Sequence, residues 1–420
     1  MKTGVKEVSP SQQLLEQYTP GENFFFATHN HTLLTEGCAL RVLTNGEVRD
    51  WKELAEQATE ILRIQEQSTG KPCILVGAVP FDCNDPVQLY IPSSFRQAEG
   101  LTFTNETPQH ELNLSDYTAT PVPEPEVYQE GVTRLLEHIR QGRVNKAVLA
   151  RSLQLVSDRP VDARALLHQL AAQNTSGYTF AVPLETKRIS PPHDEHEALH
   201  QESGTTLLGA SPELLVSKKG LEVISSPLAG SIPRSDDPEE DRKRAAGLME
   251  SVKDLHEHAF VTRAVAEALR PYCKQLEVPD RPSLVATETM WHLATTIRGE
   301  LLSSDTSSLE LAYALHPTPA ICGTPTDEAR ELIKELEGFD RGYYSGTVGW
   351  CNAAGDGEWA VTIRCAEVGK RYIRLYAGAG IVEGSRPEDE LRETSAKMGT
   401  FLKAIGFKNE TETMVNKEGV

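Results

Sequence analysis

The chain has 420 residues, of which 39% are hydrophobic and 25% are charged, a composition typical of a globular protein with a sizeable core. Its formal net charge of −19 argues against nucleic acid and anionic membrane surfaces as partners. A protein this acidic must use local cations or a metal ion to bind a small anion.

Cysteine usage and the amino-terminal sequence indicate the compartment. Seven cysteines are scattered along the chain without a CxxC pair, which favours free thiols over a disulfide framework or a zinc site. The opening residues 1–12 lack the apolar core of a signal peptide, and no apolar run reaches membrane-spanning length. We therefore expect a cytoplasmic protein without a membrane partner.

The first half of the chain alternates between apolar runs and amphipathic segments. Strands are predicted at 24–26, 39–43, 73–81 and 146–156, and helices at 51–67, 128–141 and 163–173. Residues 118–126, with the sequence TATPVPEPE, predict a proline-rich connector.

The second half predicts longer strands joined by hairpins. Strands are expected at 178–182, 207–217, 221–226, 346–351, 358–368 and 371–382, and one long helix from about 236 to 270. The polar connection 186–206 carries His193, His196 and His200, which its composition assigns to solvated surface, and we attach no function to it. The tail 408–420 is expected to be disordered. Hairpins with helices between them predict an α+β protein with large antiparallel sheets.

The segment from Gly378 to Lys397 contains the first candidate site. The glycine pair GAG at 378–380 ends a strand and allows a close approach of the backbone to a ligand. Ser385 and Glu388 read as a capping box for the helix that follows. This segment lacks the third glycine of a dinucleotide-binding loop, and an antiparallel pattern argues against that function as well.

That helix places Glu390, Glu393 and Lys397 on one face. Alone, such a face is more often solvated surface. A second acidic pair, Asp254 and Glu257, lies on the 236–270 helix, where Glu257 falls among small apolar residues. A carboxylate there is either a buried ion pair or a metal ligand. Carboxylates without a His or Cys set favour Mg²⁺, and the HEH sequence at 256–258 does not have zinc spacing.

Three further charged residues lie in apolar strands. Lys146 opens the strand 146–156, Glu213 is a lone acid in GASPEL, and Arg364 lies in the strand 358–368. A buried lysine can serve as a base, a buried glutamic acid as a proton donor, and a guanidinium as a clamp for a carboxylate. Each residue alone is more often salt-bridged or snorkelling.

These motifs together resemble the chorismate-utilising enzymes, and within them the isochorismate synthases of the siderophore, 2,3-dihydroxybenzoate type. The matching stretches are NKAVLAR (145–151), GASPELLV (209–216), PLAGSIPR (227–234), KDLHEH (253–258), WHLATTIRG (291–299), LHPTPAICG (315–323), FDRGYYSGTVGW (339–350), GEWAVTIRCAE (357–367), YAGAGIVEGS (376–385) and ELRETSAK (390–397). The resemblance implies one α+β domain over 1–407, in which two large antiparallel sheets stack and helices surround them. Its catalytic motifs lie in 128–407, and residues 1–120 match only loosely.

The resemblance also implies roles for the candidates. Lys146 resembles the base that activates water, and Glu213 the acid that protonates the departing hydroxyl. The implied metal is Mg²⁺, bound directly by Glu257 and Glu393 and through water by Asp254 and Glu390. The residues implied to bind substrate are Gly230, Ser231, His292, Ala320, Arg364, Gly378, Ala379, Gly380 and Lys397.

Isochorismate synthase is the function that the resemblance favours. Amine-transferring members usually have Gln at the position of Lys146, so no glutamine amidotransferase subunit is expected. Tyr344 and Tyr376 depart from the pattern, which leaves salicylate synthase, with a following loss of pyruvate, as the alternative. A chorismate-binding subunit without activity is the non-enzyme alternative. A monomer is expected, while the downstream pathway stays open between catechol siderophore, salicylate and quinone.

Overall fold

The computed structural model describes residues 9–42, 51–82, 84–103, 116–174, 176–185 and 204–407. The helices in these ranges are α1 (Pro10–Glu16), α2 (Trp51–Thr69), α3 (Pro125–Arg140), α4 (Ala163–Gln173), α5 (Pro238–Glu250), α6 (Val252–Leu269), α7 (Ser308–Leu315), α8 (Thr326–Glu337) and α9 (Pro387–Ala404). The strands up to the middle of the chain are β1 (Phe25–Ala27), β2 (His31–Glu36), β3 (Leu40–Val42), β4 (Ile74–Val79), β5 (Gln88–Ile91), β6 (Ser94–Glu99), β7 (Tyr117–Val122), β8 (Lys146–Ser157), β9 (Tyr178–Pro183), β10 (Thr206–Ser211) and β11 (Leu214–Lys219). The remaining strands are β12 (Glu222–Ser226), β13 (Leu228–Pro233), β14 (Cys273–Glu277), β15 (Ser283–Ala286), β16 (Met290–Ala294), β17 (Ile297–Leu301), β18 (Gly323–Thr324), β19 (Thr347–Asn352), β20 (Gly357–Val361), β21 (Cys365–Val368) and β22 (Tyr372–Val382).

Two large antiparallel sheets form the body of the protein, which confirms the α+β prediction. The ten-stranded sheet has the order β18-β8-β22-β21-β10-β9-β1-β2-β6, and β7 also pairs with β8. The nine-stranded sheet has the order β14-β17-β12-β11-β20-β19-β4-β5-β3. A third sheet, β13-β16-β15, was not predicted.

Alternation of side chains along each strand gives both large sheets an apolar inner face. Phe26 and Phe180 of the ten-stranded sheet meet Val76, Val348 and Ala360 of the nine-stranded sheet in one buried cluster. Each large apolar side chain buried there contributes about 1.5–3 kcal/mol. Helices α4 and α9 cover the outer face of the ten-stranded sheet, and α2, α6 and α7 cover that of the other.

Two adjacent chain segments cross together from one large sheet to the other. The strand predicted at 207–217 is in fact two strands, because β10 belongs to the ten-stranded sheet and β11 to the nine-stranded sheet. The strand predicted at 358–368 divides in the same way into β20 and β21. The crossings are held side by side, since Ala210 N donates to Arg364 O at 3.0 Å and Val361 N donates to Glu213 O at 3.1 Å.

Arg364 was therefore placed wrongly by the sequence pattern. It lies between β20 and β21 with a φ of 50°, a left-handed conformation that interrupts the strand. Glu213 likewise lies between β10 and β11. Both residues consequently lie in the connections between the two large sheets.

The long helix predicted at 236–270 is interrupted at Ser251. This residue ends α5 and caps α6, where its hydroxyl accepts a hydrogen bond from Asp254 N. Val252, the first residue of α6, is 83% exposed despite its apolar side chain. The buried face of α6 instead contains Glu257 and Val261, in agreement with the small-residue side that the sequence suggested.

Two other local predictions are wrong. Residues 118–122 of the predicted connector belong to β7, which adds to the ten-stranded sheet beside β8. Ser385 does not cap α9: the N-cap is Arg386, without a side-chain hydrogen bond. The Ser385 hydroxyl instead accepts a hydrogen bond from Val382 N at 3.3 Å. The histidines at 193, 196 and 200 and the tail 408–420 lie outside the described residues.

Candidate active site

A cavity with an empty volume of about 680 Å³ lies where the two large sheets separate. This size is in the range of small-molecule sites. The predicted site residues that line it are Glu213, Gly230, Ser231, Glu257, His292, Ala320, Arg364, Gly378, Gly380, Glu393 and Lys397. Residues from widely separated parts of the chain thus converge on one cavity, as the motifs indicated.

Four predicted residues are not on the cavity wall. Ala379 alternates with the two glycines of its strand and is buried in the opposite face, among Leu149 and Ile381. Asp254 and Glu390 do not line the cavity either. Lys146 is fully buried behind Glu257.

Lys146 and Glu257 form a buried ion pair. The distance from Lys146 Nζ to Glu257 Oε1 is 2.9 Å, and the lysine side chain is 0% exposed. Gly380 passes directly over this pair: a Cβ there would lie 2.3 Å from Glu257 Oε1 and 3.0 Å from Lys146 Cε. A Cβ at position 380 would therefore force these two side chains to move, before any ligand is considered.

Glu213 is a protonated acid at neutral pH. Its side chain is 2% exposed, and desolvation raises the pKa of the carboxyl to about 8. Leu228 N donates a hydrogen bond to Glu213 Oε1 at 3.3 Å, and the positive charges of Lys146 and Lys397 limit the rise. A carboxylic acid held neutral in a cavity wall can donate a proton to a bound molecule.

Arg364 and His292 give the cavity a cation and a neutral imidazole. The Arg364 guanidinium makes no hydrogen bond or ion pair with the residues that the structure describes, and burial lowers its pKa. Burial, followed by the charge of Arg364, lowers the pKa of His292 well below its usual value. His292 Nε2 is buried and has no hydrogen-bond partner among the described residues. Both groups are free to bind polar atoms of a ligand.

A second set of ion pairs surrounds the acidic residues of α9. Lys397 Nζ lies 2.6 Å from Glu393 Oε1 and donates to Gly378 O at 2.8 Å. Burial is the largest influence on the pKa of Glu393 and raises it, but the charge and hydrogen bond of Lys397, with Lys253 and Ser231, together outweigh burial and lower the pKa. Glu390 is 1% exposed and pairs with Lys253 at 2.9 Å, while burial and the charge of Glu393 raise its pKa.

The four carboxylates fit a hard cation in their chemistry. They supply only oxygen donors, on α6 and α9. The pKa of Asp254 is raised, mainly by burial, and the negative charges of Glu257 and Glu393 add to the rise. The carboxylates are not assembled around a common point, because no three His, Cys, Asp or Glu side chains in the described ranges are grouped closely enough to hold a metal. Lysines balance three of the four charges instead. A metal ion would take over that balance at Glu257 and Glu393.

Sequence reasoning missed part of the site. Lys253 was named only as part of the KDLHEH motif and was given no role. Its position next to Asp254 was the signal that placed it near the acidic residues. Ser345, Ile321 and Ile363 line the cavity and gave no separate signal. Tyr344 and Tyr376 also line it and stack with their ring centroids 5.0 Å apart.

Comparison with known proteins shows the family to which the chain belongs. The profile described as chorismate binding enzyme matches residues 89–403. The chain belongs to the chorismate binding enzyme family. It is 50% identical over 397 residues to isochorismate synthase DhbC of Bacillus subtilis, which covers 94% of this chain and 96% of the relative. It is 40% identical over 401 residues to the vibriobactin-specific isochorismate synthase of Vibrio cholerae, covering 94% and 95%.

A solved structure supports the same membership. A Bacillus anthracis protein, described as 2,3-dihydroxybenzoate-specific isochorismate synthase DhbC, superposes with a TM-score of 0.85 at 50% identity. The match covers 95% of this chain and 100% of that structure. In the described part of this family member, no helix is both long and apolar enough to cross a bilayer.

Proposed function

We propose that the protein is an isochorismate synthase that converts chorismate to isochorismate for the biosynthesis of a 2,3-dihydroxybenzoate siderophore. Water adds at C2 of the ring, the double bonds shift, and the C4 hydroxyl leaves. The observation that carries the proposal is Glu213, a neutral carboxylic acid on the wall of a cavity that also presents Arg364 and two carboxylates. The names of the relatives support the choice of substrate and pathway.

Each step has a residue suited to it. Glu213 gives its proton to the departing hydroxyl, which would otherwise leave as hydroxide. Arg364, unpaired among the described residues, holds a carboxylate of chorismate. The neutral imidazole of His292 lies on the same wall and can bond a substrate oxygen.

Lys146 is the proposed base, and its position sets a condition on that role. Its ammonium is held by Glu257 and does not reach the cavity wall. It can take a proton from water only as the neutral amine, after this pair separates and the ammonium has released its own proton to solvent. Separation is favourable only when Glu257 has another partner for its buried charge.

Mg²⁺ is the proposed cofactor. Glu257 and Glu393 would bind it directly, while Asp254 and Glu390 would act through water. When bound, Mg²⁺ neutralises and positions a substrate carboxylate. Because the proposed nucleophile is water rather than ammonia, the enzyme needs no amidotransferase subunit. We also propose that it acts in the cytoplasm as a monomer.

The test is to incubate the purified protein with chorismate and Mg²⁺ and to identify the product. Isochorismate as the stable product supports the proposal. Salicylate with pyruvate would instead identify a salicylate synthase, and no consumption of chorismate would reject both. The Lys146→Ala variant should lose about 10²–10⁴-fold in turnover. Full turnover by this variant would reject the proposed base even with the correct product.

A further inference from the structure

A second cavity adjoins the candidate active site. We call it the outer cavity; its empty volume is about 1440 Å³. Its wall is formed by the end of α4, the β10–β11 crossing and the end of β15, and it includes Ala172, Asn174, Pro212, Ala286 and Arg364. None of its lining residues was singled out from the sequence except Arg364.

The two cavities meet at the strand crossing. Pro212 lines the outer cavity, and the next residue, Glu213, lines the catalytic one. Arg364 lines both cavities, which places its side chain in the partition. Its left-handed backbone, with a φ of 50°, is what turns the chain at this point.

Arg364 is also the unbalanced positive charge of this partition. Arg234, on the wall of the outer cavity, is already neutralised by Asp241 at 2.9 Å and lies over the ring of Trp291. The Arg364 guanidinium has no such partner among the described residues. It can therefore attract an anion from either side. The wall of the outer cavity also carries one carboxylate, Glu288, so with Arg234 neutralised the attraction depends on Arg364.

We propose that the outer cavity is the antechamber through which an organic dianion enters and leaves the catalytic cavity. A carboxylate is first attracted to Arg364 from the outer side and then held by it on the catalytic side. The identity of the dianion as chorismate rests on the proposed function. The route itself rests on the shared partition and on the free guanidinium.

A reversible plug tests the route. Ala172 lies on α4 and lines the outer cavity but not the catalytic one, so the Ala172→Cys variant places a thiol in the outer cavity. Arg164→Cys on the exposed face of the same helix is the matched control. Each variant is treated with methyl or benzyl methanethiosulfonate, and the treated parent protein corrects for its own thiols. Dithiothreitol removes the adduct afterwards.

The benzyl adduct at position 172 should lower kcat/KM for chorismate about tenfold or more, because capture of substrate is slowed. The methyl adduct should cost less than about twofold, the control position should show no effect, and dithiothreitol should restore activity. Full modification by the benzyl reagent without a change in kcat/KM would overturn the proposal while leaving the isochorismate synthase activity intact.

A second measurement does not need turnover. Saturating chorismate in EDTA should slow the labelling of the Ala172→Cys thiol by sulfonatoethyl methanethiosulfonate about threefold, and should not affect the Arg164→Cys thiol. Unchanged labelling at position 172 would contradict occupancy of the outer cavity. If chorismate were bound but not converted, the proposed function would fail and this labelling result would still decide the route.

Discussion

Replacing Gly380 with alanine is the most direct test of how the site is built. The new Cβ would lie 2.3 Å from Glu257 Oε1, whereas a real contact of this kind needs about 3.4 Å, so the carboxylate must move by about 1 Å. A displacement of that size at a reacting site costs about 10²-fold in rate. Crowding of the buried Lys146–Glu257 pair should also cost about 1–3 kcal/mol of unfolding free energy.

Two further alanine variants provide the scale for this measurement. In Gly378→Ala the new Cβ would meet Tyr344 Oη at 2.9 Å and Val148 Cγ1 at 3.0 Å, a smaller overlap than at Gly380, so a smaller loss is expected. Gly247→Ala in α5 meets nothing within 4 Å, so it should keep the parent's turnover and gain about 0.5–1 kcal/mol of unfolding free energy from its better helix propensity. The assays are steady-state isochorismate formation and urea unfolding. A Gly380→Ala protein with kcat/KM within about twofold of the parent would refute this account of the glycine.

Two other predictions concern protonation and charge. The pKa of Glu213 is about 8 in the folded protein and near 4.5 when exposed, so its stabilising contribution is complete below pH 4.5 and is lost as the pH rises through 8. Relative to Glu213→Gln, the parent should therefore lose unfolding free energy at up to about 1.4 kcal/mol per pH unit across this window. Its turnover should also fall above pH 8. Parallel curves of unfolding free energy against pH for the two proteins, measured with urea, would contradict this. The Lys253→Met variant should bind Mn²⁺ about fivefold more tightly in an electron paramagnetic resonance titration, because a competing cation next to Glu390 is removed. Lys243→Met, whose side chain is 84% exposed in the parent, is the control, and weaker Mn²⁺ binding by Lys253→Met would show that the lysine positions Glu390 instead.

The features that sequence predicted well are those that depend on local spacing. Glu390, Glu393 and Lys397 share a face because a helix repeats every 3.6 residues, and this holds whatever the helix packs against. Glu257 was identified from its small apolar neighbours, and it does lie on the buried face of α6. The antiparallel sheets followed from hairpins that are also local.

The features that sequence could not predict depend on distant partners. The chain at Glu213 and Arg364 was predicted as continuous strand because apolar runs flank it on both sides, and pairing with the neighbouring segment holds the crossing in place. Lys253 and Glu390 lie far apart in the chain and meet only when α6 packs near α9. The capping box at Ser385 failed because its hydroxyl has a backbone donor at Val382 that the helix pattern does not reveal.

The paired crossing of the strands also makes the two sheets share one register. The hydrogen bonds from Ala210 N to Arg364 O and from Val361 N to Glu213 O close the ladder on both sides of the crossing. A slip of one residue in either sheet would turn its side chains to the opposite face. Glu213 and Arg364 would then no longer face the same cavity. The position of the proposed proton donor therefore depends on the correct alignment of both sheets. A protein with misaligned sheets would have no intact site even with every catalytic residue present.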